Sequence, residues 1–394
     1  MRHQLPVWSP VTLRGLLAGL HPEPGAAARL ADRVLSAYRP QGVLLTDSGT
    51  SALALALLAA APKGERPRVA LPGYGCFDLM TAADAADSEV LLYDVDPLTL
   101  APAAGEVDRV LRHGARAVVV THWYGLPVDL DPIRSATKAA GARLIEDAAQ
   151  AIGVECGGVP AGAQGEFGVL SLGRGKGRTG GRGGVLLAND GAAAAALDGL
   201  SRRLASPRGG GRALASLATQ WLLGRPWAYG LPASLPFLRL GETPYHPAHS
   251  PFRIPERVAA VAAAVWDESE AEIAVRRQWA AEWERAIGHA AGVTLYRPPA
   301  GTVAGWLRFP LLAAPGWETV LRTRRLRRRG LMPGYPRPLD ELPVSADRLA
   351  GERAPLHGAR RLARQLFTLP CHRQVSAADV RAVRNRLDPS LANR

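Results

Sequence analysis

Lysine is what this chain does without. Of 48 basic side chains only three are lysines, Lys63, Lys138 and Lys176, and the other 45 are arginines. Arginine is a permanent cation and serves wherever charge alone is wanted. A lysine can shed its proton, attack a carbonyl and form a Schiff base. Cysteine is scarce too. Cys76, Cys156 and Cys371 are odd in number and lack metal-ligand spacing, which argues against a disulfide framework or a resident metal and for a reducing compartment. Aromatic residues make up 6 %, and the arginines are scattered apart from the run Arg322 to Gly330. The formal charge of +13 therefore fits an anionic substrate or surface better than a nucleic acid, and no nucleic-acid partner is expected. No apolar run is long enough to span a bilayer. The N-terminal stretch, broken by Pro6, Pro10 and Arg14, shows no cleavable signal, and the expected location is cytoplasmic.

What is present is a repeated grammar. The chain has 394 residues, 47 % hydrophobic and 21 % charged, enough for a sizeable core in two or three domains. In "GVLLTDSGTSALALALLAAAP", Val43 to Thr46 predicts a strand, "DSGTS" a turn and Ser51 to Ala60 a helix. "RVALPGYG" and a helix from Leu79 to Ala86 repeat the unit, and "EVLLYDVDP" adds a strand. Ala115 to Gly125 is almost continuously apolar, as a strand buried on both faces of a parallel sheet must be. A helix over Pro132 to Ala140 leads to "ARLIEDAAQAIG", whose strand ends at Asp147. "FGVLSL" and "GGVLLAND" then flank the loop "GRGKGRTGGRGG" that carries Lys176. Alternating strands and helices predict an α/β domain with a mostly parallel sheet and helices on both faces. Ligands gather at the carboxyl ends of such strands.

Four groups converge there: the turn at Gly49, Thr50 and Ser51, the turn from Pro72 through Cys76 to Phe77, Asp147, and Lys176. The first is a helix N-terminus, where unpaired amides and the dipole favour an anion. An anion cradle, a buried carboxylate and a reactive amine are together what pyridoxal 5'-phosphate requires. Its phosphate takes the cradle, its ring nitrogen the carboxylate and its aldehyde the lysine.

These residues resemble the DegT/DnrJ/EryC1/StrS family of aminotransferases. The matching stretches are "SGTSALALAL", "VALPGYGCFDLMTAADAADSEVLLYDVDP", "VVVTHWYGLPVDLDPI", "LIEDAAQAIG", "GVLSLGRGKG", "GYPRPL" and "FTLPCHRQVSAADV". They cover the chain from about residue 40 to its end, most weakly between Asp190 and Pro255. The resemblance implies a fold-type I pyridoxal-phosphate transferase with a large domain over residues 1–254 and a smaller C-terminal α/β domain, with its linking helix, over 255–394. It implies that Lys176 forms the Schiff base and shuttles the proton. Asp147 pairs with the ring nitrogen, Gln150 lies on the ring's hydroxyl side, and Ser171 binds phosphate with Thr50 and Ser51. It also implies a homodimer that moves an amino group, with glutamate the expected donor, to a nucleotide-linked keto sugar in polysaccharide or secondary-metabolite biosynthesis.

The departures leave alternatives. Cys76 occupies the position of the usual ring-stacking aromatic, between Tyr74 and Phe77. Arg174, Arg178 and Arg182 either meet a substrate anion or are solvated. "PFRI", Pro251 to Ile254, lacks the family's asparagine, and "GYP", Gly334 to Pro336, lacks its histidine. An apolar insertion over about 201–250 contains Ala213 to Gly241, whose prolines forbid one long helix. It packs on the dimer interface or makes peripheral membrane contact for a lipid-linked substrate. Two alternatives keep the fold: a pyridoxal-phosphate enzyme acting on a non-sugar substrate, or a catalytically silent regulatory or membrane-associated relative.

Overall fold

The computed structural model describes residues 3–61, 64–233, 244–351 and 355–387. The strand–helix grammar folds into one seven-stranded sheet: β1 (Gly42–Thr46), β2 (Arg68–Pro72), β3 (Glu89–Tyr93), β4 (Ala117–Thr121), β5 (Arg143–Asp147), β6 (Phe167–Ser171) and β7 (Gly184–Ala188). Their order is β1-β7-β6-β5-β4-β2-β3. All run parallel except β7, which is antiparallel to both neighbours. The Lys176 loop therefore leaves the sheet and re-enters it at the same edge, the carboxyl edge. Every residue of β4 is buried, as helices on both faces demand. The helices anticipated after β1, β2 and β4 are Gly49–Ala59, Asp78–Ala85 and Asp131–Ala139, within two residues of expectation.

The second sheet is antiparallel: β8 (Val293–Leu295), β9 (Arg308–Ala313), β10 (Met332–Pro333) and β11 (Leu366–Pro370), in the order β8-β9-β11-β10. Phe309, Leu311 and Ala313 pack with Trp283, Ile287 and Val383. Leu312 and Leu366 face the other way and join the core of the large sheet. The linking segment is two helices, Glu256–Ala264 and Trp266–Ile287. They part at Val265, where Gly15 packs so closely that a Cβ on it would lie 2.6 Å from Val265 Cγ1. The arginine run is entered through two single helical turns, Glu318–Leu321 and Arg324–Arg327, separated by an extended Thr323.

The insertion forms a helix, Gly210–Leu223, which stops ahead of Pro226 as its prolines require. Leu217 on it is fully buried with Val11, Val261 and Val265, whereas Leu222, Trp227 and Leu231 are exposed. Residues 234–243, which include the end of the apolar stretch, lie outside the described residues. Among the described residues no helix is long and apolar enough to cross a membrane. If the insertion helix is an integral part of the fold, Leu217→Ala should cost about 2–4 kcal/mol in urea unfolding. Leu222→Ala should stay within about 0.5 kcal/mol, and equal effects would refute the packing.

Candidate active site

β1 delivers the chain to Asp47, and the helix Gly49–Ala59 starts two residues later. Ser48 caps that helix, its Oγ accepting from the Ser51 amide at 3.1 Å. The Ser51 hydroxyl donates to Asp47 Oδ1 at 2.7 Å, so it is engaged within the turn. The amides of Gly49 and Thr50, which have no acceptor inside the helix, remain for an anion. Gly49 packs tightly here: a Cβ would sit 3.0 Å from Ser171 Cβ and 3.3 Å from its Oγ, so Ser171 would have to give way. Ser171 at the end of β6 thus closes one side of the cradle. A Cβ on Gly173, two residues on, would meet Ser171 Oγ at 3.3 Å and Lys176 Cγ at 3.7 Å. A cavity against this loop is lined by Ala148, Ala149, Ser171, Lys176, Arg178 and Trp266.

Asp147 ends β5, its carboxylate accepting from Thr121 Oγ1 at 3.2 Å and from the Ala149 amide at 3.1 Å. Burial raises its pKa above the ordinary carboxylate value, opposed first by the charge of Lys176 and then by these hydrogen bonds. Cys76 shares the field of both Lys176 and Asp147, and burial pushes its thiol up to about 12. Its neighbours are committed elsewhere. Tyr74 packs against Trp123 and Tyr335, and Phe77 is in the core. Gln150 Oε1 accepts from the Tyr124 amide at 3.1 Å, and its Nε2 donates to the Tyr335 hydroxyl at 2.6 Å. That tyrosine belongs to the "GYP" turn, and its amide in turn donates to Tyr74 at 2.9 Å.

The three loop arginines are neither solvated in common nor gathered on one point. Arg182 pairs with buried Asp47. Arg178 is buried, stacked 3.4 Å from the centroid of Trp266 and paired with Glu270. Arg174 donates to Ser216 on the insertion helix at 2.9 Å. The N-terminal segment, which the sequence did not connect with the site, packs on this loop. Ser9 Oγ accepts from the Gly175 amide at 2.9 Å, and Gly175, at φ +76°, faces Val7. In "PFRI", the Phe252 amide donates to Asp47 Oδ1 at 3.2 Å and Arg253 to the Ser201 carbonyl at 3.1 Å. Among the described residues no cluster of three or more His, Cys, Asp or Glu is placed to hold a metal.

A second buried carboxylate supports the floor. Glu146 Oε2 accepts from the Gly162 amide at 2.8 Å and Oε1 from Gly165 at 2.6 Å. His122 Nδ1 accepts from the Val128 amide at 3.1 Å, so its proton is on Nε2, 3.2 Å from Glu146 Oε2.

The family model for the DegT/DnrJ/EryC1/StrS aminotransferase family matches residues 27–388. The chain belongs to that family. Among curated relatives of this aminotransferase family, the L-glutamine:2-deoxy-scyllo-inosose aminotransferase of Streptoalloteichus tenebrarius is 33 % identical over 165 residues, 42 % of this chain and 37 % of that one. The UDP-N-acetyl-3-dehydro-alpha-D-glucosamine 3-aminotransferase of Acidithiobacillus ferrooxidans is 32 % identical over 125 residues, 32 % and 34 % of the two chains. The matched stretch thus spans little more than a third of either relative. The crystal structure of an aminotransferase, TlmJ, from Streptoalloteichus hindustanus superposes with a TM-score of 0.74 over 100 % of both chains at 23 % identity, a likeness of fold. The cradle, the buried carboxylate and the lysine fit the phosphate, ring nitrogen and aldehyde of pyridoxal phosphate.

Burial alone would raise the Glu146 carboxyl. The His122 hydrogen bond and the glycine amides outweigh it and hold the group below its ordinary 4.5. A depressed carboxyl adds stability that is complete above its unfolded value and is lost as pH falls through the folded one. Glu146→Gln should therefore be less stable at neutral pH by about 1–3 kcal/mol. Its melting temperature should fall less steeply than that of the wild type from about pH 5 downward. Parallel curves for the two proteins would contradict this assignment.

Proposed function

We propose that this protein is a pyridoxal-phosphate-dependent aminotransferase. It moves an amino group from an amino acid, glutamine or glutamate, to the ketone of a sugar or sugar-like ring, with a nucleotide-linked keto sugar the preferred acceptor. The observation that carries the reading is the meeting of Lys176, buried Asp147 and the Gly49–Ser171 cradle at the carboxyl ends of β1, β5 and β6. The names of the relatives, one acting on a cyclitol ketone with L-glutamine and one on a UDP-linked keto sugar, support the substrate class.

When bound, pyridoxal phosphate supplies an electron sink that lets a C–H bond beside nitrogen ionise. The Gly49 and Thr50 amides and the Ser171 hydroxyl would hold its phosphate. Asp147 would keep a proton at the ring nitrogen, and a carboxylate with no fixed cation of its own is suited to that task. Gln150, locked by Tyr124 and Tyr335, would orient the ring's hydroxyl side, and Cys76 would present a small thiol to the ring. The Lys176 amine would take a proton from the donor carbon and return it on the acceptor side, which arginine is too basic to do. A homodimer belongs to the same reading. Leu13, Leu17 and Leu20 stand exposed along one helix, and such an apolar stripe is what a second copy covers.

The purified protein should show a visible absorption band that borohydride fixes as a mass tag on the Lys176 peptide and that L-glutamine or L-glutamate abolishes. Lys176→Ala should lose the tag and at least about 10⁴-fold of the transamination rate, the upper range for a positioned proton-transfer group. A protein that stays colourless with added pyridoxal phosphate, or a Lys176→Ala variant that still turns over, would refute the reading.

A further inference from the structure

Arg308 opens β9. Strand alternation turns Phe309 and Leu311 into the small-domain core, and Arg308 shares the opposite face with Leu312, the face that meets the large domain. Its hydrogen bonds are poor. Nη2 reaches two backbone carbonyls, Thr368 at 3.3 Å and Gly330 at 3.4 Å, beyond the usual range for N–H···O. Its Nε is buried without an acceptor. The side chains whose charge acts on it most are Tyr124, Cys371, Tyr335 and Tyr229. Burial pulls the guanidinium down to about 10, the sign of a desolvated cation without a fixed counterion. The three arginines of the lysine loop, by contrast, each have a fixed partner: Asp47 for Arg182, Glu270 for Arg178 and Ser216 for Arg174.

Two of the tyrosines beside Arg308 are the pair that lock Gln150, and one of them, Tyr335, feels the charge of Cys76 and Asp147. The guanidinium therefore stands behind the wall of the cofactor cradle. Its planar fork matches an oxyanion with two oxygens. In an aminotransferase the donor's carboxylate is one bond from the carbon that Lys176 deprotonates. Its binding group must then border the cradle itself, whereas the acceptor's nucleotide lies farther out.

We propose that Arg308 binds the α-carboxylate of the amino donor. The inference rests on the aminotransferase reading and adds the residue that selects an amino acid over a simple amine.

The test uses holoenzyme, wild type and Arg308→Gln, with Arg308→Lys as the conservative partner should the first variant fold poorly. The visible band before any substrate reports the cofactor alone. If the wild type has none, the aminotransferase reading fails before this proposal is reached. Where the band is present, its loss is titrated with L-glutamine and with 4-aminobutanamide, the same molecule without its carboxylate. Arg308→Gln should raise the half-saturating concentration of L-glutamine roughly 10- to 100-fold, the worth of one charge-assisted contact. It should leave that of 4-aminobutanamide within about twofold, with Arg308→Lys between wild type and Arg308→Gln. Equal weakening of acid and amine would make Arg308 a structural residue and overturn the proposal. So would an unchanged L-glutamine titration with weaker use of a UDP-linked keto sugar, which would give the guanidinium to the acceptor's phosphate instead.

Discussion

The site depends on a single buried carboxylate, Asp47. Its side chain takes the hydroxyl of Ser51, the amide of Phe252 and the guanidinium of Arg182. Its backbone carbonyl takes Arg182 Nε at 3.1 Å and the Gly183 amide at 2.8 Å. Three segments distant in sequence therefore close on one residue: the start of the cradle helix, the end of the lysine loop and the end of the insertion. A buried ion pair contributes little net stability when both partners are present, but it is costly to break, on the order of 3–5 kcal/mol. It sets position more than it adds affinity. Fixing the end of the lysine loop to the helix N-terminus, where Ser171 packs on Gly49, is what keeps Lys176 and Ser171 in one layer with the first amides of the helix.

Glu146 does the same on the far side of Asp147. The two adjacent acids of "LIEDAAQ" look alike in sequence, and alternation along β5 sends them to opposite faces. One is saturated by His122 and backbone amides. The other has only Thr121 and Ala149 and is left with its pKa raised. A saturated carboxylate is structural, and an under-satisfied one beside a lysine is available for a ligand.

Much of this was legible in the sequence because it depended on local order. Lys176 stood out because arginine fills nearly every other cationic position, and Asp147 because an apolar strand ends on it. The parallel sheet followed from the alternation of strands and helices and from the apolar run of β4. What could not be read was decided by partners far along the chain. The Ser51 hydroxyl turns inward because Asp47 is buried, and Asp47 is buried because Arg182, 135 residues away, pairs with it. The roles of Arg174, Arg178 and Arg182 depend on Ser216, Trp266 and Asp47, and charge counting carries no such information. Leu339, Leu342, Leu356 and Leu362 come late in the chain yet bury in the core of the large sheet. Val7 and Ser9, at the other end, cover the lysine loop. Both are tertiary returns that periodicity cannot reveal.

Among the described residues, Arg276 and Arg308 make no bond to a carboxylate, and the contrast between them shows how the fold allots positive charge. Arg276 is fully buried with all three guanidinium nitrogens lacking acceptors, and burial lowers it to about 10. Its nitrogens lie 2.7 and 3.1 Å from where a Cβ on Gly177 would stand, so it packs beneath the residue after the lysine. The nearby Glu272, which would compensate it, is engaged by the amide and guanidinium of Arg373. Arg308 is lowered equally, but it keeps part of its surface and lies on the face of the antiparallel sheet that joins the core of the seven-stranded one. An anion that completes Arg308 while its carbon lies at Lys176 must touch elements of both sheets at once. Binding the donor then favours the arrangement in which they are correctly apposed, through ordinary linkage. The substrate's own charge would then add to the contacts that Tyr335 already makes with Gln150 and Tyr74.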